Sequence, residues 1–149
     1  MRRLLRTAIV IAMVVGPSAA LTGCDVMAPT RNADGHIAHT MVLSATDMVV
    51  DDCFTFNDPS DASQAEVTPC DQPHELRVIG QGRLSEARVT LDGGLQPAVA
   101  AACKSDFAAF RASNPGIHKL QFIVSMQQQG DTAVTLYSCV STDPVVAAA

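Results

Sequence analysis

The side chains of this 149-residue chain best suited to covalent or metal chemistry are its five cysteines, Cys24, Cys53, Cys70, Cys103 and Cys139, together with His74. A thiol can be a nucleophile, a metal ligand or half of a disulfide. Cys70-x-x-x-His74 has the outline of half a metal site, but no second Cys/His pair stands at zinc-like spacing. Asn57, Asp58 and Asp61 offer oxygen ligands without the alternate spacing of a calcium loop, in a stretch whose residue types suit a turn. No serine lies in a Gly-x-Ser-x-Gly elbow, and "GQGRL" at 80–84 lacks a third glycine and precedes no clear helix. No catalytic residue, metal or cofactor is therefore expected. His36 and His39 read as solvated polar positions, and His118 as a loop residue ahead of a strand.

Cys24 stands apart from the other four. Arg2, Arg3 and Arg6 precede an apolar run and then a break at Gly16 and Pro17, the layout of a secretory signal. The run is short for a membrane span, which needs roughly 20 residues. "LTGC" at 21–24 resembles the bacterial lipobox. The resemblance implies a signal peptide at 1–23, cleavage before Cys24 and a diacylglycerol on its thiol. Several acyl chains then hold the protein to a membrane, each buried CH₂ contributing about 0.8 kcal/mol. The alternative is ordinary cleavage after Ser18-Ala19-Ala20, which leaves Cys24 a free thiol.

Residues 1–23 carry three arginines and no acid, so the remainder has 7 basic and 15 acidic side chains, a formal charge of 7 − 15 = −8. That balance argues against nucleic acid and against a polybasic membrane surface. With five Phe, one Tyr and no Trp, a carbohydrate surface of stacked tryptophans is not expected. Residues 24–40 lack sustained periodicity and read as a lipidated cysteine followed by a flexible tether. Residues 41–142 make one small domain, and 143–149 a frayed tail.

A core of this size is thin and gains from disulfides, which persist in exported proteins. Four cysteines allow three pairings. "CFTF" at 53–56 and "QAEVTPC" at 64–70 read as strands folding back about the turn cluster at 57–63, which brings Cys53 to Cys70. Residues 97–112 read as a helix: Pro97 suits its first turn, and Val99, Cys103, Phe107 and Phe110 form one apolar stripe. "SNPG" at 113–116 stops it. Strands at 119–127 and 133–140 follow, and a helix packed on that hairpin joins Cys103 to Cys139. The loop-entropy model assigns roughly 3 and 4 kcal/mol to these two closures. The expected fold is α+β, a small mainly antiparallel sheet with one main helix in the order β-β-β-α-β-β; residues 83–94 admit a further strand, a helical turn or an excursion.

"DDCF…CDQPHELRV" resembles the septum-formation domain of high-GC Gram-positive bacteria. Asp52-Cys53-Phe54 matches its opening, Cys70, Pro73 and His74 its second block, and Cys103 and Cys139 its later pair. Asp51 stands where that family usually has Gly, and Arg77 where it usually has Glu. The resemblance implies an exported or membrane-tethered lipoprotein with paired cysteines, and carries over no catalytic residue.

The expected function is a non-catalytic binding or scaffold module of the cell envelope, anchored on the extracytoplasmic face of the membrane and linked by the resemblance to septum or wall processes. Its partner is an envelope protein or wall component, with basic segments favoured by the acidic balance. His74 and Asp52 are the expected partner contacts: His74 sits in the matched block, and the adjacent charges of Asp51 and Asp52 suggest exposure. His74 has a structural reading too, as a hydrogen-bonded residue of the turn into strand 75–80. A ligand-sensing or transport-accessory lipoprotein would instead show an apolar cavity between helix and sheet. A thiol- or metal-dependent enzyme would need reduced cysteines or bound metal.

Overall fold

The structure, a computed structural model, describes residues 29–58, 60–129 and 132–145; the signal segment and Cys24 lie outside them. The elements run β1 (Met41–Ser44), β2 (Cys53–Asp58), β3 (Asp61–Thr68), β4 (His74–Ser85), α1 (Glu86–Leu91), α2 (Leu95–Ser113), β5 (Leu120–Gln129) and β6 (Thr132–Val145). The strands form one six-stranded antiparallel sheet in the order β1-β3-β2-β4-β6-β5. The α+β class, the main helix and both disulfides are as expected: Cys53 bonds Cys70 and Cys103 bonds Cys139. No helix among the described residues is long and apolar enough to cross a membrane.

The sheet has one strand more than expected, because β1 is too short to show a period. It pairs Met41 with Val67 and Leu43 with Ala65. Residues 83–94 hold the end of β4, the short helix α1 capped by the Ser85 hydroxyl, and a turn through Gly93 and Gly94 at φ 82° and 126°. β6 runs on to Val145, so Asp143 belongs to the sheet and not to a frayed tail. The segment expected as a tether is folded over its later part. Arg31 bridges Ile37 in the β manner, the Asn32 side chain closes the turn by accepting from Asp34 and His36, and Ile37 is buried in the core. At the β2–β3 turn, hydrogen bonds from Ser60 and Ser63 hold the Asp58 and Asp61 carboxyls below the ordinary carboxylate range.

Two cores lie on opposite faces of the sheet. One gathers Ile37, Leu43, Met48, Phe54, Val67, Leu76, Val78 and Val140. The other packs Leu84, Val99, Cys103 and Cys139 under α2, with Phe122, Val124 and Tyr137 beside them. Side chains alternate faces along a strand. β4 serves both cores from even-numbered positions because its register shifts between Val78, opposite Val140, and Gly80, opposite Cys139. The extra residue, Ile79, is a β-bulge, and it reverses the alternation midway along the strand.

The α2 helix is rich in alanine, the strongest helix former. Pro97 lies in its first turn, and the helix ends before Pro115, with Asn114 hydrogen-bonded back to Phe110. It can settle close to β4 because β4 offers Gly80, where a Cβ would collide with the Asp106 carboxylate of α2. At Gly82 a Cβ would instead collide with the Tyr137 hydroxyl of β6. Gly80→Val is accordingly expected to destabilise the fold by about 1–3 kcal/mol through overpacking. Urea unfolding checks this, and an unchanged midpoint would mean that α2 does not bear on Gly80.

Candidate functional site

Of the residues singled out by their chemistry, Cys53, Cys70 and His74 meet at one end of the sheet, where the start of β4, the end of β6 and the start of β2 come together, while Cys103 and Cys139 lie under α2. Register places Cys53 opposite Arg77, and Arg77 opposite Ser141. His74 opens β4 with its side chain fully buried. Its Nδ1 lies 2.8 Å from the Gln72 carbonyl oxygen. A carbonyl only accepts, so Nδ1 carries the hydrogen and Nε2 is turned inward. Nε2 lies 3.8 Å from Asp143 Oδ2, too far for a hydrogen bond. Arg77 Nε approaches the same oxygen to 2.8 Å, and the Arg77 guanidinium stands 5.8 Å from the centre of the Phe110 ring. The rings of His118 and Phe110 meet in a T-shaped arrangement, and His118 Nδ1 is 2.6 Å from the Thr142 carbonyl oxygen.

Cys53 Sγ, His74 and Asp143 bring potential ligand atoms within 4.8 Å of one another. The set does not fit a metal ion. The Cys53 sulfur is spent in the disulfide, and the Arg77 cation already faces the Asp143 carboxylate. What remains is a polar cluster in which His74 is buried, Arg77 and Asp143 are half-buried, and His74 Nε2, Arg77 Nε and Asp143 Oδ2 make no hydrogen bond among the described residues. His74, expected as a partner contact, is hydrogen-bonded within its turn and its side chain is covered.

Asp52 is buried too, and not exposed as its adjacent charge suggested. It is buried because a cation is brought to it. Arg31 Nη1 and Nη2 donate to Asp52 Oδ1 and Oδ2 at 2.7 and 2.8 Å, with side-chain exposures of 19% and 1%. The Val49 N–H donates to Oδ2 as well. Such a bidentate pair has the planar match that suits arginine to carboxylates. The hydrogen bond to Asp52 raises the pKa of the Arg31 guanidinium, with burial opposing it. Spacing gave no sign of this pair, since the partners are 21 residues apart. Arg31 was the only signal: a lone cation in an otherwise uncharged or acidic stretch at 24–40.

Of the adjacent acids only Asp51 is exposed, and its backbone is left-handed at φ 71°. Its N–H donates to the Val78 carbonyl at 2.8 Å, which holds it there. A non-glycine residue in this region is strained, and such strain collects at functional sites. Asp51 lines an open hollow of about 750 Å³ with Asn32, His36, Asp71 and Arg77. Asn32, His36, Asp51 and Asp71 are all exposed there. A second groove of about 350 Å³ opens between residues 45–49 and the sheet, lined by Ile123, Ser125, Leu136 and Ser138. These alternate with the strand residues that meet α2, so the groove lies on the face away from the helix. Gln81 closes its floor, donating to the Met48 carbonyl and the Ser138 hydroxyl at 2.8 and 3.0 Å. Between α2 and the sheet, Val99, Cys103 and Cys139 are wholly buried.

Fold and site define a disulfide-stapled α+β domain with its reactive side chains turned inward and an acidic hollow open at one end. No family model, curated protein or solved structure matches the chain.

Proposed function

We propose that this protein is a lipid-anchored module on the extracytoplasmic face of the membrane, binding or scaffolding another envelope component without catalysis. The observation that carries the reading is the hollow beside Asp51. Exposed Asp51 and Asp71 face it together with His36, and the Asp51 backbone is held in a strained conformation. Two carboxylates at an open rim suit a basic segment of a partner protein. The four described cysteines are paired, which favours an oxidising compartment, and the lipobox supplies the anchor. The resemblance to the septum-formation domain makes division or wall assembly the context to test first.

A ligand-sensing lipoprotein is the second reading, and the groove over Gln81 favours it, although it lies on the opposite face of the sheet from the helix. A thiol enzyme would have to release a cysteine from its partner, and a metal enzyme would have to displace Arg77 from Asp143.

The test begins with protein purified from its own membranes. Intact mass with thiol labelling should give cleavage before Cys24, an acyl mass on it and no free thiol until reduction. Crosslinking in cells should then capture a basic partner, and Asp51→Asn/Asp71→Asn should lose it while folding normally. An unmodified Cys24 would remove the anchor. Capture that survives the double variant would remove the hollow as the binding surface.

A further inference from the structure

Among the described residues the sheet ends on β5, whose one neighbour is β6. The outer backbone groups of an edge strand are free to pair with another chain, and proteins usually blunt such edges with charge, proline or a bulge. β5 has none of these over its ten residues, "LQFIVSMQQQ", in a chain of formal charge −5, and its register with β6 is unbroken from Leu120 to Gln129. Both cores also stop short on this strand. Phe122 and Val124 are half-buried beside the helix-side core, Ile123 is half-buried against the other, and Met126 is 77% exposed. The opposite edge, β1, has four residues.

We propose that β5 pairs antiparallel with β5 of a second copy, about a two-fold axis through Val124, joining the two sheets into one. The register follows from the sequence of the strand. Setting Val124 opposite itself places Phe122 opposite Met126, Gln121 opposite Gln127 and Ile123 opposite Ser125. The exposed thioether then packs on a half-buried aromatic ring, a favourable sulfur–aromatic contact. The glutamine amides face each other and can exchange hydrogen bonds. Both apolar clusters continue into their own copies. An acidic chain repels itself over most of its surface, and an uncharged strand is where two copies can meet without that cost. The interface is isologous, as a closed two-fold dimer requires.

The test uses two exposed positions that are not cross-strand neighbours within one chain: Gln121 pairs with Val140 and Gln127 with Val134. In the proposed dimer they face each other twice. Sedimentation equilibrium of the otherwise unaltered protein should show a monomer–dimer equilibrium. Gln121→Lys/Gln127→Lys sets like charges opposite each other and should dissociate the dimer. Gln121→Glu/Gln127→Lys, with the same number of substitutions, should keep it, on the order of tenfold tighter than the double lysine variant. A parent that stays monomeric, or two variants that associate equally, would overturn the proposal. Growth past the dimer would overturn it too, since a two-fold pairing closes. These outcomes are independent of the acidic hollow, which the Asp51 and Asp71 variants test.

Discussion

Replacing Cys103 and Cys139 together by alanine is expected to destabilise the protein by about 4 kcal/mol, against about 3 kcal/mol for removing Cys53–Cys70. The difference follows from separations of 36 and 17 residues in the loop-entropy model. The longer closure also ties α2 to β6, and both of its cysteines are wholly buried among Val99, Leu84 and their neighbours. Losing it opens the helix-side core as well as lengthening the unfolded chain. Against a total of about 5–15 kcal/mol, either loss is large. Urea unfolding of the two double variants gives the ranking. Equal midpoint shifts, or a larger one for the shorter loop, would mean that chain entropy does not set the order.

Arg31→Ala is expected to cost about 3–5 kcal/mol, far more than a surface ion pair contributes. The cost arises from Asp52, which stays buried with its charge and keeps only the Val49 N–H as a partner. Arg31→Ala/Asp52→Asn should therefore be more stable than Arg31→Ala alone, because an amide can still accept from Val49 and carries no charge to leave unpaired. Denaturant midpoints of the single and double variants complete the cycle. A loss below about 1 kcal/mol for Arg31→Ala would place the pair among weak surface bridges. Hydrogen exchange gives a second readout. The amides of Asn32 and Ala38, bonded within the 30–38 turn, should lose protection in the single variant before the sheet does.

The parts of the molecule written in local pattern could be read from sequence, and the parts written in distant pairing could not. The stripe Val99, Cys103, Phe107 and Phe110 has helical spacing, and the structure has α2 there. The chain reversal after "CFTF" brings Cys53 to Cys70 as the turn residues imply, although the β2–β3 turn is tighter than the seven-residue cluster at 57–63. β4 resisted because its bulge breaks the period of two: Leu76 and Leu84 are both even-numbered, yet they face opposite cores. Asp52 misled for a related reason. Adjacent aspartates are usually solvated, and only the tertiary approach of Arg31 makes one of them internal. His74 carries two readings in sequence, and neither its bond to the Gln72 carbonyl nor the covering of its ring has a local signal. Asp143 could not be placed while the last strand was expected to stop at residue 140.

The clamp at Arg31 also fixes how the domain bears a load. A pull on the chain ahead of Pro29 reaches Arg31 within two residues, and there it divides. One share runs along the backbone toward β1, the shortest strand, which among the described residues pairs with β3 alone and would otherwise peel first. The other crosses the guanidinium to Asp52 and enters the residue next to Cys53, which is bonded to Cys70. Tension is thus delivered beside a covalent link, and the edge strand is spared while the ion pair holds. The clamp works as a strain relief, of the kind that keeps a cable from tearing at its socket.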